Sequence, residues 1–139
     1  MTNFSIIENK ISSTQKYLSM LADFKKYSKE EIERDVNLKG ALERYLYLAI
    51  QSSIDLSEAV VSFKELRKPS SMAESFQILE ENKIISRELS DNLVKMTGFR
   101  NIVAHDYEKI NYDIVFDVLN NRLDDIKEFI SAVKIILNL

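Results

Sequence analysis

Two glycines, Gly40 and Gly98, and one proline, Pro69, are the only residues of these types in 139. Hairpins depend on such turn formers, so a chain this poor in them has little room for a sheet. Its apolar residues recur instead at the spacing that lines one face of an α-helix. Phe4, Ile7, Ile11, Leu18 and Leu21 make a first stripe. After a mostly polar link from Tyr27 to Asn37, a second stripe carries Leu38, Leu42, Tyr45, Ala49, Leu56, Val60 and Phe63. It is predicted to stop before Lys68-Pro69, where the ring disfavours helical geometry in the preceding residue. Ser70 or Ser71, with Glu74 behind it, marks a helix start for a stretch running to about Glu81. Ser86 opens another helix that buries Leu89, Leu93 and Met96; Gly98 is predicted to end it in the left-handed conformation, and the chain to restart at Arg100 in a short helical piece. Asn111, with Asp113 in the first turn, caps a last helix through Val115, Leu119, Leu123, Ile126, Ile130, Val133 and Leu137. The second and last helices should be the longest. Long antiparallel helices on short links imply one all-α domain over residues 1–139, a bundle of four or five helices.

The chain has no cysteine, so neither a disulfide framework nor thiolate metal ligation is available to it. Its longest uncharged run, Tyr45 to Ile54, falls far short of the roughly 20 apolar residues of a membrane span. Met1 to Ile7 is followed at once by Glu8 and Lys10, unlike a signal peptide. A cytoplasmic protein without membrane contact is expected. Nineteen Lys and Arg against twenty-two Asp and Glu give a net charge of −3, which argues against gripping nucleic acid over a long tract. A small basic cleft is still compatible with that balance. Arg87, Lys95, Arg100 and Lys109 share one third of the sequence, although solvated helix faces produce the same spacing.

His105 is the only histidine. Imidazole titrates nearest neutrality and can shuttle protons, whereas a guanidinium stays charged and can hold phosphoryl oxygens with two N–H groups. Asn101 stands four residues before His105 and shares its helix face. Arg100 is expected in the first turn of its helix, where backbone N–H groups also favour an anion. Together these residues supply parts of a phosphodiester-cleaving site. By themselves they also fit a surface or core histidine, and Tyr107 fits a core tyrosine. A di-metal carboxylate bundle would need Glu-x-x-His, but Ile102 occupies the position three before His105. Two isolated glycines cannot build a phosphate-binding loop, so neither metal nor cofactor is expected. The stripe Arg44, Gln51, Asp55 on the second helix is better read as a solvated face than as support for the cleft.

The run Gly98-Phe99-Arg100-Asn101-Ile102-Val103-Ala104-His105-Asp106-Tyr107 resembles the motif of HepT toxins in the HEPN superfamily: arginine, four residues, histidine, one residue, tyrosine. Asn101 matches the polar residue that HEPN domains favour after the arginine. Glu43-Arg44, Ala49-Ile50-Gln51, Ser53-Ile54-Asp55-Leu56 and Met72 to Leu79 resemble the same family in the same order, so the likeness covers about Glu43 to Leu123. It implies a HEPN-like bundle that forms a two-fold homodimer with both motifs facing one cleft. It further implies metal-independent cutting of RNA, in which a ribose 2′-hydroxyl attacks the adjacent phosphate. Arg100 would stabilise the phosphoryl charge, Asn101 would orient phosphate or imidazole, and His105 would move protons. A single imidazole per chain makes the pair necessary if one serves as base and another as acid. The resemblance also implies a partner, a minimal nucleotidyltransferase antitoxin of the MntA type that transfers AMP from ATP to Tyr107. The alternative is a non-catalytic helical dimer that binds a nucleotide or a protein.

Overall fold

Seven α-helices and no strand account for the residues described by the computed structural model of the chain, 3–105 and 110–139. They are α1 (Phe4–Ala22), α2 (Lys29–Arg34), α3 (Val36–Phe63), α4 (Met72–Glu81), α5 (Arg87–His105), α6 (Tyr112–Asp117) and α7 (Leu123–Leu137). A 3₁₀ turn, Asp23–Lys26, follows α1, and a π-helical turn, Val118–Arg122, joins α6 to α7. The all-α bundle expected from the stripes is therefore present. At 28 residues α3 is the longest helix, whereas the last stripe is comparably long only if α6, the π turn and α7 are taken as one winding.

Local chemistry explains most of the boundaries. Asn3, Asp35, Ser71 and Asn111 each accept backbone N–H groups at a helix start, a contact worth about 1 kcal/mol apiece. Ser86 does the same for Leu89 N–H at the start of α5. The link from Tyr27 to Asn37, expected to be irregular, instead contains α2. There the Ser28 hydroxyl and the Glu31 carboxylate cap each other's backbone N–H, and Ile32 is fully buried. A single apolar anchor offers no period to read.

Gly98 departs further from expectation. It does not adopt a positive φ, and α5 runs through it unbroken to His105. Arg100 consequently lies in the later turns of a long helix and not in the first turn of a short one, so its own helix offers an anion no free backbone N–H groups there. Burial of Met96 and Thr97 before the glycine and Val103 after it offsets the roughly 1 kcal/mol that glycine costs in a helix interior. The left-handed conformation is taken by Glu65 and Lys83, just beyond α3 and α4, where the sequence offers no glycine.

α3 runs through the middle, with α1, α2, α4, α5 and α7 packed around it. Small polar residues let neighbours approach closely: the hydroxyls of Thr14 and Ser52 lie 2.5 Å apart between α1 and α3, and those of Ser57 and Ser75 lie 2.5 Å apart between α3 and α4. Ser53 and Ser57 also donate to the carbonyls of Ile50 and Ile54, so these buried hydroxyls are satisfied. Phe76 meets Phe129 edge-on at 5.4 Å, joining α4 to α7. Arg67 donates to both Glu74 and Glu81, which fixes the α3–α4 loop; the Ser70 hydroxyl and then Arg67 hold the Glu74 carboxyl below its usual range, and Arg67 does the same for Glu81. Among the described residues, no helix is long and apolar enough to cross a membrane.

Because an added Cβ at Gly98 would meet nothing within 4 Å, Gly98→Ala should raise the unfolding free energy by about 1 kcal/mol, measured by urea denaturation. A left-handed helix end at this position would give the opposite sign.

Candidate active site

The site is built where the end of α5 crosses the middle of α3. Glu43, Tyr47, Gln51 and Asp55 recur at intervals of four along α3 and form a polar stripe on a helix that is otherwise largely buried. Arg100, half-buried on α5, is seated on this stripe. Its Nε donates to Gln51 Oε1 at 2.8 Å, one terminal nitrogen donates to Asn101 Oδ1 at 2.8 Å, and the other to the Tyr47 hydroxyl at 3.3 Å. Its Cζ lies 5.1 Å from the centroid of the Tyr47 ring. The Gln51 amide cannot turn away, because its nitrogen donates to Asp55 Oδ1 at 2.9 Å. The other Asp55 oxygen pairs with Lys10 Nζ at 3.5 Å, which brings α1 into the support.

A guanidinium has five N–H groups, and these contacts leave one on each terminal nitrogen for an anion. Asn101 is exposed; its carbonyl faces Arg100, which leaves its amide N–H₂ to donate outward. His105, the last residue of α5, is also exposed and lines a shallow groove of about 380 Å³ with Glu43, Arg44, Tyr47, Val103 and Ala104. Tyr47 links the two halves, since it touches Arg100 and lines the groove with His105. The arrangement offers an anion directed N–H donors beside an imidazole.

Three expectations change. The stripe read as a solvated face is the seat of Arg100, because Gln51 points into the α3–α5 contact and Asp55 holds it there from the α1 side; Arg44 alone of that stripe is exposed, with its Cζ 5.6 Å from the Tyr47 ring centroid. Among the described residues, the basic side chains of that third of the sequence do not gather. Arg87 opens α5, roughly 20 Å along the helix from Arg100, and Lys95 lines a different groove with Met96 and Phe99. Lys109 lies outside the described residues, as does Tyr107. Third, sequence reasoning missed Tyr47 altogether, although a polar or aromatic residue every four positions on a buried helix was a signal that could have found it.

The described residues that flank positions 106–109 converge on Glu43. His105 shares its groove, and the Tyr112 hydroxyl donates to Glu43 Oε2. Lys39 Nζ sits 4.9 Å from the Tyr112 ring centroid, and Asp113 pairs with Lys29 at 2.5 Å, so the start of α6 is tied to α3 and α2. Burial, then the neighbouring Glu43 carboxylate, raises the Tyr112 pKa well above the ordinary tyrosine value.

Residues 14–133 match the family described as ribonuclease HepT-like. The mRNA nuclease HepT of Shewanella oneidensis is 33% identical over 130 residues, which is 93% of this chain and 96% of that protein. The tRNA nuclease HepT of Aphanizomenon flos-aquae is 26% identical over 135 residues, 96% of this chain and 92% of that one. Two solved structures superpose closely at 32% identity. A toxin–antitoxin with AMP-PNP gives a TM-score of 0.87 and covers 94% of this chain and 98% of its own. A tri-AMPylated Shewanella oneidensis HEPN toxin in complex with MNT antitoxin gives 0.86, covering 93% and 96%.

The Tyr112–Glu43 bond carries a pH dependence with a definite sign. A tyrosine whose pKa is raised by folding contributes stability that is complete below the unfolded value of about 10 and is lost as pH climbs toward the folded value. Tyr112→Phe should therefore be less stable by about 1–3 kcal/mol at pH 7, and its stability should decline less steeply than the parent's above pH 10 when both are followed by urea denaturation.

Proposed function

Because the chain belongs to the HepT-like ribonuclease family, we propose that it is a metal-independent endoribonuclease toxin that cuts RNA in a cleft shared by two copies. The observation that carries this reading is Arg100, held by Gln51 and Tyr47 beside the groove of the only histidine. A fixed guanidinium with N–H groups to spare stabilises charge that grows on phosphoryl oxygens, and pays no reorganisation when the charge appears. Asn101 adds a donor from the same turn of α5. The ribose 2′-oxygen attacks phosphorus as it loses its proton, and the 5′-oxygen of the next nucleotide leaves as it gains one, yielding a 2′,3′-cyclic phosphate and a free 5′-hydroxyl. His105 is the group that moves these protons.

One imidazole can take the first proton or supply the second in a concerted step, and a two-fold pair provides both. Pairing at this end of the bundle is supported by Ile102 and Ile114, apolar yet 42% and 49% exposed, on α5 and α6. The proposed partner in regulation is a nucleotidyltransferase antitoxin, in line with the MNT antitoxin bound to the AMPylated relative. It would transfer AMP from ATP to the Tyr107 hydroxyl with release of pyrophosphate. Tyr107 follows His105 by two residues, so the added phosphates would repel RNA from the cleft. The proposed place of action is the cytoplasm.

Purified protein incubated with RNA in excess chelator should cleave it. Arg100→Ala should lower kcat on the order of 10²–10³-fold, and His105→Ala should lose activity comparably. Equal cutting by all three would point to a contaminant and overturn the assignment; RNA binding without cutting would favour the non-catalytic dimer. Coexpression with the nucleotidyltransferase should add AMP to Tyr107, read by peptide mass spectrometry and abolished in Tyr107→Phe. An unmodified Tyr107 in an inactive complex would sink the regulatory half.

A further inference from the structure

Arg44 takes no part in the chemistry just described, yet it lines the same groove as His105. Its guanidinium and that of Arg100 lie on one aromatic side chain, 5.6 and 5.1 Å from the Tyr47 ring centroid. The two cations are therefore within about 11 Å of each other, a span that neighbouring phosphates of one strand can match. Among the described residues neither has a carboxylate within 4.0 Å. The Glu43 carboxylate, nearest in the groove wall, is engaged by the Tyr112 hydroxyl. Two like charges collected on one ring, with no carboxylate among the described residues paired to either, form a receptor for two anionic groups. The ring that could have stacked a base carries guanidinium groups instead, so the groove favours backbone over base.

We propose that Arg44 binds the phosphate flanking the scissile linkage, so that the groove between Tyr47 and His105 is a subsite for the nucleotide next to the cut. The inference rests on the nuclease reading and adds a substrate class to it: strands that extend at least one phosphate past the cleaved bond, held there without regard to sequence. Arg100 acts on the reacting phosphate; Arg44 holds its neighbour and sets binding more than turnover.

Three measurements test this on the intact protein. With an RNA oligonucleotide, Arg44→Ala should raise KM about 10-fold, by more than it lowers kcat, and Arg44→Lys should recover most of the loss. The parent should prefer a trinucleotide to a dinucleoside monophosphate about 10-fold in kcat/KM, and Arg44→Ala should reduce that preference to about 2-fold. Binding of a fluorescent 2′-deoxy oligonucleotide, which cannot be cut, should show a shallower dependence of log K on log salt in Arg44→Ala, by about 0.7 for one lost phosphate contact. A parental KM, preference and salt slope in the variant would overturn the subsite. So would a loss of binding that Arg44→Lys fails to rescue and that comes with a lowered thermal midpoint, since that marks a packing role. If the parent binds with an Arg44-dependent slope and cuts nothing, the nuclease reading falls while the phosphate contact stands.

Discussion

An arginine serves a phosphoryl centre only if its fork is held still, and the hold here is the side-chain amide of Gln51. That amide is oriented by Asp55, which is pinned in turn by Lys10, so a chain of polar contacts crosses from α1 through α3 to α5. The two outer links join neighbouring helices and the middle one runs along α3; all three are part-buried, shielded enough for a hydrogen bond to be directional and open enough for a charge to remain. α3 can carry this stripe because its other faces are buried against α1, α4 and α7, and its position in the bundle does not depend on the polar residues. Stability and the proposed chemistry are thus drawn from different sides of one helix.

Much of the architecture was legible as periodicity. The stripes from Phe4 to Leu21, from Leu38 to Phe63 and from Val115 to Leu137 all became packed helix, because burial of an amphipathic face is what decides those segments. Misreadings arose where one residue was asked to decide alone. Gly98 resembles a helix end, but the apolar residues on both sides of it continue the same buried face, and packing outweighs a propensity of about 1 kcal/mol. Ile32 had no apolar repeat around it, so α2 was invisible until Ser28 and Glu31 were seen capping one another.

The site was half legible for a similar reason. Arg100, Asn101 and His105 are close in sequence, and a short motif shows itself. Tyr47, Gln51 and Asp55 stand about 50 residues away and look like the wet side of a helix. Only the packing of α5 against Tyr47 and Gln51, and of α1 against Asp55, gives them partners, and nothing local to these segments encodes that packing. The polar residues along α3 read as solvent-facing until the partner helix is known, which is the general difficulty with any seat made by one helix for a side chain of another.

Chain order gives the network one more property. The seat for Arg100 comes from residues 10 to 55, whereas α7, whose Phe129 closes on Phe76, is added last. A ribosome working from the amino terminus thus lays down the cradle well before its occupant, and the hydrophobic interior is incomplete until the final helix emerges. The motif residues therefore meet a seat already synthesised, while the core behind it closes only when α7 packs against α3 and α5.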